Sequence, residues 1–564
     1  MRLLPLFLLF GCAPALAQTP CQSTGGPDLV VADVSGVANY GSSGNLEALA
    51  LGKVYCNVGA LWANCSANTN QHPIAAPGLF RLQTVAGAQR FEQVGVGWCF
   101  HSSFALSGST CCNDCQSTDG THVGVHCSDV NTASSSGSQS GLSPRWQVNA
   151  FTGSFPYPPA NPSWSGSVAR RLAIDVADLE ATGGTNSARY FGEVLLVSPD
   201  EALAGTGQNN ASYREIAVTG SASAWNFALL GSTTSEASAI QAWQDADTLV
   251  QLVAVQIPAE GLLYLASRVT PLGNGVFHYE YALYNLNSDD GVGSFSLPLP
   301  AGASVSSVGF HDVTYRDGDG IGSVNQDGGD WPAQFAAGGL SWSTQSFAAN
   351  PNANALRWGT LYNFRLDSDA PPSSGTITLG LFKSGASVAV AAQVPGSAGT
   401  PSCFGDGSAG NCPCGNFGLA GNGCANSANP AGAQLFPSGA TLPDPLTGTD
   451  TLVLHASGFP GSATAIYLQG NVFLFPGAQL GDGIRCAAGL LRRIGVVPGS
   501  GGASQYPGPG DLSISARSAQ LGDVLLGSGA QRVYQVWYRD PLASFCPPPT
   551  GQNHNVTNAL LVGW

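Results

Sequence analysis

The chain has 564 residues, and only 10% of them are charged, with a formal net charge of −15. Its 43% of hydrophobic residues is too high for a disordered acidic chain, and a stock of only two lysines argues against a nucleic-acid binder. The 74 glycines and 36 prolines instead predict a large protein with many turns between short strands.

The first 17 residues have the pattern of a secretory signal peptide. Arg2 supplies a positive start, residues 3–10 form a short apolar core, and Ala15-Leu16-Ala17 is a small-x-small cleavage site. No other apolar run is long enough to span a bilayer. The sequence therefore predicts an exported protein, extracellular or at the cell surface, with no transmembrane segment.

The cysteines agree with export. Removal of the signal takes Cys12, and the remaining cysteines form a group of eight in residues 21–127 and a group of six in residues 403–546. Both numbers are even, as closed disulfide sets require. The alternative is a zinc site formed by four cysteines and a histidine, namely Cys111, Cys112, Cys115, Cys127 and His126.

The cysteine spacing also divides the chain. We predict a disulfide-bearing β segment in 18–145, a Cys-free β-sandwich-like region in 146–395, a Gly/Ser linker in 396–402, and a Cys-containing C-terminal β module in 403–564. The first two can also be read as one unit. The predicted fold class is mostly β, with a β-sandwich-like N-terminal part and a disulfide-bearing, β-rich C-terminal module.

Strand and helix patterns support that division. Apolar residues alternate with polar ones over residues 277–284 and 356–367, which is the period of a strand with one buried face. Helix signals are few. Thr233-x-x-Glu236 fits a capping box and predicts one short helix that continues through Trp243.

Histidines supply the candidate catalytic residues. His278 and Glu280 are two residues apart on a predicted strand, so their side chains project from the same face. An imidazole beside a carboxylate can act as a general base. We therefore assign His278 or His311 as base, Glu280 as its orienting or acid partner, and Arg357 as a substrate-holding residue.

Two kinds of metal site are also open. A transition metal could be held by four histidines, if the fold brings together His72, His101, His278 and His311. Calcium would suit the carboxylates of a Gly-rich loop, formed by Asp317, Asp319, Asp327 and Asp330. The alternatives are separate, hydrogen-bonded histidines and an acidic surface turn.

Aromatic residues in turn-rich stretches suggest a further role. Sugar-binding surfaces stack pyranose rings on exposed aromatic side chains, and the candidates here are Tyr157, Trp164, Trp243, Trp331 and Trp342. The alternative is that these rings belong to the core, where large aromatic residues dominate the packing.

Several longer phrases carry a resemblance. They include Asn68-Thr69-Asn70-Gln71-His72-Pro73, Gly309-Phe310-His311-Asp312-Val313, and the run of residues 354–364. Together they resemble a group of large secreted bacterial proteins of unassigned activity. Residues 412–416 and 534–540 resemble a module at the ends of many otherwise different secreted proteins. The resemblance implies export and a β-rich build, and it implies no reaction.

Three functions follow as hypotheses. The first is an extracellular protein that acts on or binds a polysaccharide, with an extracellular polymer or cell surface as partner. The second is a His-based, metal-dependent oxidoreductase or hydrolase. The third is a non-enzymatic surface or matrix adhesion protein, for which disulfide-held β modules suffice.

Overall fold

The computed structural model of the chain describes Cys21 and residues 25–101, 108–160, 162, 164–221, 224–300, 303–336, 338–444, 446–542, 545–548 and 552–564. The protein is nearly all β, with 47% strand and 6% helix, and this confirms the predicted fold class. The predicted signal peptide, residues 1–17, lies outside the described residues.

The N-terminal unit contains one large sheet. Eight strands run in the order β1-β2-β10-β5-β4-β11-β12-β13, and β6, β8 and β9 attach to them. The strands are β1 (Leu29–Ser43), β2 (Leu46–Asn57), β3 (Ala63–Asn64), β4 (Ile74–Val85), β5 (Ala88–Val96), β6 (Cys99–His101), β7 (His122–Val123), β8 (Ser128–Asn131), β9 (Leu142–Ser143), β10 (Leu172–Asp175), β11 (Arg189–Val197), β12 (Ala211–Ser221) and β13 (Ala224–Thr234). Strands from both sides of residue 145 share this sheet.

A β-sandwich follows. Its two five-stranded sheets have the orders β14-β15-β16-β21-β18 and β19-β20-β17-β22-β23. The strands are β14 (Gln251–Ile257), β15 (Gly261–Gly273), β16 (Val276–Asn285), β17 (Val292–Pro298), β18 (Val305–His311), β19 (Ala333–Ala336), β20 (Gly339–Ser343), β21 (Thr360–Ser368), β22 (Pro372–Leu381) and β23 (Ser387–Pro395).

The alternating pattern of β21 explains how the sandwich is placed. Tyr362, Phe364 and Leu366 are fully buried in the core between its two sheets. The other face of the same sheet packs against the N-terminal unit, where the Tyr284 ring meets the Phe80 ring edge-on at 6.0 Å. Both faces of this sheet are therefore covered.

The C-terminal module has three smaller sheets, in the orders β24-β33-β32-β27-β30, β25-β26-β31 and β28-β29. Its strands are β24 (Thr400–Ser402), β25 (Gln434–Ser438), β26 (Val453–Ser457), β27 (Thr464–Gly470), β28 (Val472–Leu480), β29 (Gly483–Ala488), β30 (Arg492–Pro498), β31 (Ala503–Tyr506), β32 (Gln531–Arg539) and β33 (His554–Gly563). Three residues of the predicted linker form β24, which pairs with β33.

Helices are few and short. They are α1 (Ala133–Ser136), α2 (Pro199–Ala204), α3 (Gln241–Ala246) and α4 (Ile514–Gln520), with 3-10 turns at Gln139–Gly141, Arg145–Gln147 and Val176–Asp178. None of the helices in the described ranges has the length and apolar character needed to cross a membrane.

Six disulfides hold the chain, as the cysteine count predicts in part. The C-terminal six pair completely, as Cys403–Cys486, Cys412–Cys424 and Cys414–Cys546. The N-terminal pairs are Cys21–Cys112, Cys56–Cys111 and Cys115–Cys127. The prediction that all eight N-terminal cysteines pair is wrong, because Cys65 and Cys99 are buried thiols that form no disulfide. The zinc alternative is also wrong, since its four cysteines are all in disulfides.

Arg145 ties the N-terminal unit to the sandwich. Its guanidinium donates hydrogen bonds to the carbonyls of Pro77 and Gly97 at 2.6 and 2.8 Å on one side, and to that of Gly359 at 3.0 Å on the other. It also lies over the Trp358 ring at 5.3 Å. Burial lowers the pKa of Arg145, and no carboxylate forms a salt bridge with it among the described residues.

We expect Arg145→Met to lower the free energy of unfolding by about 3 kcal/mol or more, because three backbone carbonyls lose the hydrogen bond from a charged, buried donor. The measurement is denaturant unfolding under oxidising conditions. The control is Arg189→Met, which removes a half-exposed ion pair with Glu215 at 2.7 Å and should cost about 1 kcal/mol or less. Equal losses in the two variants would contradict the role assigned to Arg145.

Candidate functional site

His278 and Glu280 lie together, as the strand pattern predicts. Strand β16 places them on one face, opposite Asp367 and Arg365 of β21. The imidazole is held between two carboxylates, with Nδ1 at 2.7 Å from Asp367 Oδ1 and Nε2 at 3.1 Å from Glu280 Oε2. Burial lowers the pKa of His278, but its hydrogen bonds to Glu280 and Asp367 outweigh burial and raise the pKa above its usual value.

The same face meets strand β5 of the N-terminal unit. Glu280 Oε2 lies 3.3 Å from Arg90 Nε, Arg90 lies 3.7 Å from Glu92 Oε1, and Glu92 Oε2 lies 2.9 Å from Arg81 Nη2. Charges alternate in sign along this chain of groups, which we call the inter-sheet network: Arg81, Glu92, Arg90, Glu280, His278 and Asp367. Glu280 is only 1% exposed, so the network is enclosed between the two units.

His311 borders the inter-sheet network from the other side of β21. It lies opposite Asn363 in the register, four residues from the partner of His278, which is about 13 Å along the strand. Its Nε2 is 3.3 Å from the Gln93 carbonyl oxygen. Burial raises the pKa of Glu92, but His311, Arg81 and Arg90 together hold it below its usual value.

Arg357 is not part of this group. It precedes β21 at the end where Thr360 pairs with Asn285. Thr360 is seven residues from Asp367, so this end of the strand is about 24 Å from the partner of His278. Of the four residues predicted as one catalytic group, His278 and Glu280 form an enclosed pair. His311 lies nearby, and Arg357 is distant. The enclosed His278 can hold a proton between carboxylates, but it offers a polymer no open approach.

His72 and His101 form a second, separate pair. His72 Nε2 is 2.9 Å from His101 Nδ1, and His101 Nε2 is 2.6 Å from the Ser143 hydroxyl. Ser143 is 1% exposed, so this chain of three ends in the core and presents no nucleophile to solvent. Burial lowers the pKa of both imidazoles to about 4, with backbone groups of Ser66 and Thr69 opposing it at His72.

The strand register separates the two histidine groups. His101 lies opposite Ile74 at the start of β4, whereas Gln93, which contacts His311, lies opposite Phe80. Six residues of strand, about 20 Å, stand between them. The described residues contain no group of three or more His, Cys, Asp or Glu side chains arranged to hold a metal. A transition-metal site stays a prediction that this arrangement does not support.

The four aspartates of the predicted calcium loop point to different partners. Asp317 Oδ2 accepts from the Arg170 amide at 2.7 Å, and the two oxygens of Asp319 accept from the amides of Arg316 and Gln326 at 2.6 and 3.1 Å. Asp327 accepts from the Gly329 amide, and both Asp327 and Asp330 are exposed. Burial raises the pKa of Asp319 to about 6. Calcium binding here stays a prediction.

This loop forms one wall of a cleft between the N-terminal unit and the sandwich. The cleft has about 430 Å³ of empty space. We call it the interface cleft and define it by Trp98, Arg145 and Arg171 from the first unit and by Tyr315, Arg316, Asp317, Asp319, Gln326 and Arg357 from the second. Four arginines therefore line one cleft in a chain that has few cations.

Two of these arginines belong to the sandwich. Arg357 donates through Nε to Gln326 Oε1 and through Nη2 to the carbonyls of Pro351 and Ala353 at 3.1 and 3.0 Å. The Arg316 guanidinium has no hydrogen-bond or salt-bridge partner in the part of the chain that the structure describes, and its Nε is buried. Burial lowers the pKa of Arg316, with Asp317 and Asp319 opposing it.

An exposed tryptophan lies beside the interface cleft. Trp164 is 40% exposed, and its ring rests on Gly318 so closely that a Cβ there would be 3.3 Å from the ring. Gly318 has a φ of +72° and separates the two aspartates of the cleft wall. Tyr157 is also exposed, whereas Trp243, Trp331 and Trp342 are at most 2% exposed and belong to the core. The sugar-platform hypothesis is therefore wrong for those three.

Sequence reasoning missed Arg316 and Trp98. Arg316 directly precedes the acidic loop, and in a chain with 20 Lys and Arg residues such an arginine is a signal that could have been used. Trp98 gave no signal, because only the fold brings it to the cleft.

We expect the stability contributed by His278 to be complete below about pH 6.5 and to be lost as the pH rises through its raised folded-state pKa. Unfolding midpoints measured between pH 5.5 and 9 should therefore fall less steeply for His278→Gln than for the wild type. The control is His122→Gln, which removes a histidine on the surface beside Asp119. Identical pH slopes in all three proteins would contradict the prediction.

The His72–His101 pair affects the pH dependence of stability in the opposite direction. Both folded-state pKa values lie near 4, below the ordinary 6.5, so stability is lost as the pH falls through this range. The variant His72→Asn should lose less stability than the wild type between pH 6.5 and 4. A wild-type slope in the variant would show that these histidines do not limit acid stability.

Comparisons with known proteins leave the chain without a family assignment. No protein-family model matches it, and no curated protein matches it. One similar solved structure is the tetra-tandem repeat in the extending region of a large adhesion protein. The identity is 9%, over 95% of this chain and 99% of that one, and the TM-score is 0.12. A TM-score this low carries no argument about fold or function.

Proposed function

We propose that this protein is exported and binds a polysaccharide at the interface cleft. The observation that carries the proposal is an exposed tryptophan, Trp164, beside a cleft whose wall includes Arg316, a residue whose guanidinium has no partner among the described residues. An aromatic face beside guanidinium and carboxylate groups suits a sugar ring and its hydroxyls.

Charge and packing suggest how such a ligand is held. Arg316 and Arg357 offer N–H donors, and Asp317 keeps one carboxylate oxygen, Oδ1, outside its bond to the Arg170 amide. A sugar hydroxyl can donate to such an oxygen and accept from a guanidinium at once. Because the net charge of the chain is −15, long-range attraction of an acidic polymer is weak, and recognition depends on these local groups.

The proposal is for binding, with no catalytic step. The predicted catalytic pair is enclosed, with His278 at 8% and Glu280 at 1% exposure. A polysaccharide binder with six disulfides also fits a role in surface or matrix attachment.

We expect Trp164→Ala to weaken retention by a bound polysaccharide about tenfold, because stacking of one aromatic ring is worth on the order of 1 kcal/mol or more. The measurement is affinity electrophoresis against a panel of neutral and uronate-containing polysaccharides. In the same gels, the variant Arg316→Met tests whether the Arg316 guanidinium also contributes to retention.

Trp62→Ala is the matched control. Trp62 is also exposed, at 58%, and it stacks on His122 far along the chain from the cleft wall. Loss of retention in Trp164→Ala with no loss in Trp62→Ala supports the proposal. Absence of binding to every polysaccharide, or equal losses in both variants, would sink it.

A further inference from the structure

A second cavity lies within the N-terminal unit, against β2 and β4. It has about 360 Å³ of empty space when the part open to solvent is counted, and it shares Trp98 and Arg171 with the interface cleft. Most of its wall is apolar, and its larger apolar side chains are Leu49, Leu51, Phe100, Leu142, Leu172 and Val194. We call it the Lys53 cavity, after the one lysine in its wall.

Four residues of this cavity carry a buried polar atom without a partner. The atoms are Lys53 Nζ, Trp98 Nε1, Arg170 Nε and Ser136 Oγ, and none makes a hydrogen bond within the described residues. Three are N–H donors and the fourth is a hydroxyl. Unpaired buried donors are rare in folded proteins because each loses its bonds to water without replacement. Four around one cavity indicate a missing acceptor.

The cations of the cavity have carboxylates in their surroundings but form no salt bridge among the described residues. Lys53 is 1% exposed, its Nζ lies 4.5 Å from the Phe100 ring centroid, and no carboxylate of the described chain is within salt-bridge distance. Burial lowers its pKa to about 7, while Asp129 and Cys65 act in the opposite direction. Arg170, in a left-handed backbone conformation with φ of +64°, donates its Nη1 hydrogen to the Gln139 carbonyl rather than to an acid.

Water alone does not meet these requirements. A water molecule accepts two hydrogen bonds and carries no charge, so a single water leaves at least one of the three N–H donors unpaired and brings no charge to Lys53 or Arg170. A halide would compensate charge but would leave the apolar wall without a partner. An anion with two acceptor oxygens in one plane and a short alkyl chain can accept hydrogen bonds from the unpaired donors and pack against the apolar wall.

We propose that the Lys53 cavity binds a short-chain monocarboxylate. Its carboxylate accepts hydrogen bonds from Lys53 Nζ, Arg170 Nε and Trp98 Nε1, and its alkyl part packs against the leucines of the wall. The small size of the cavity restricts the ligand to a few carbon atoms. The proposal does not rest on polysaccharide binding, although the two sites share Trp98 and Arg171.

The chain itself provides a clean test, because Lys53 and Lys383 are its only lysines. Protein labelled with ¹³C at lysine Cε gives two side-chain signals, which are titrated with acetate, propionate, butyrate and, separately, chloride. We expect a saturable shift of the Lys53 signal with a carboxylate and none of the Lys383 signal, which belongs to a surface pair with Asp289. No shift of Lys53, or an equal shift with chloride, would overturn the proposal.

Matched variants give a second readout by calorimetry. Lys53→Met should weaken carboxylate binding at least about tenfold, because it removes a charged donor, and Lys383→Met should not change it. Trp164→Ala should also leave it unchanged, which separates this site from the interface cleft. Unaltered affinity in Lys53→Met would overturn the proposal, and the titration of the wild type decides the matter if that variant does not fold.

Discussion

The inter-sheet network is the interaction on which the arrangement of the molecule depends. Arg90 stands between Glu92 of its own strand and Glu280 of the sandwich, so the two units share one guanidinium. Buried charges of this kind contribute little net stability when paired, but they are strongly unfavourable when a partner is removed. The network therefore fixes how the sandwich sits on the N-terminal sheet, more than it adds to the free energy of folding. The shape of the interface cleft depends on this fixed position of the sandwich against the N-terminal sheet.

The fold class could be predicted because the strand pattern is a local property. The alternation over residues 360–368 puts three large side chains into the sandwich core and three polar ones on the opposite face, as a period of two requires. The predicted capping box failed for a related reason. Thr233 lies in β13, where its hydroxyl donates to Asp33 Oδ1 and accepts from the Val34 amide, and the helix begins only at Gln241. A contact with a distant strand replaced the local cap.

The candidate sites were predictable only where one strand determines them. His278 and Glu280 share a strand, and their proximity follows from their spacing. The pairing of His72 with His101 depends on how β4 and β6 align, and nothing in the sequence near either residue encodes that alignment. The same holds for the Lys53 cavity, whose four unpaired atoms come from segments far apart in the chain. The sequence shows that lysine is rare in this chain, but only the fold shows that Lys53 is buried.

The two free cysteines have a consequence for how the chain must be oxidised. Burial raises the pKa of the Cys65 thiol to about 11 and that of Cys99 to about 12, so almost no thiolate is present near neutral pH. Thiolate is the form that attacks a disulfide. Eight cysteines allow 105 complete pairings, and two reactive extra thiols would allow exchange among them. Burial of Cys65 and Cys99 in the N-terminal unit thus protects its three disulfides from rearrangement for as long as both thiols stay buried.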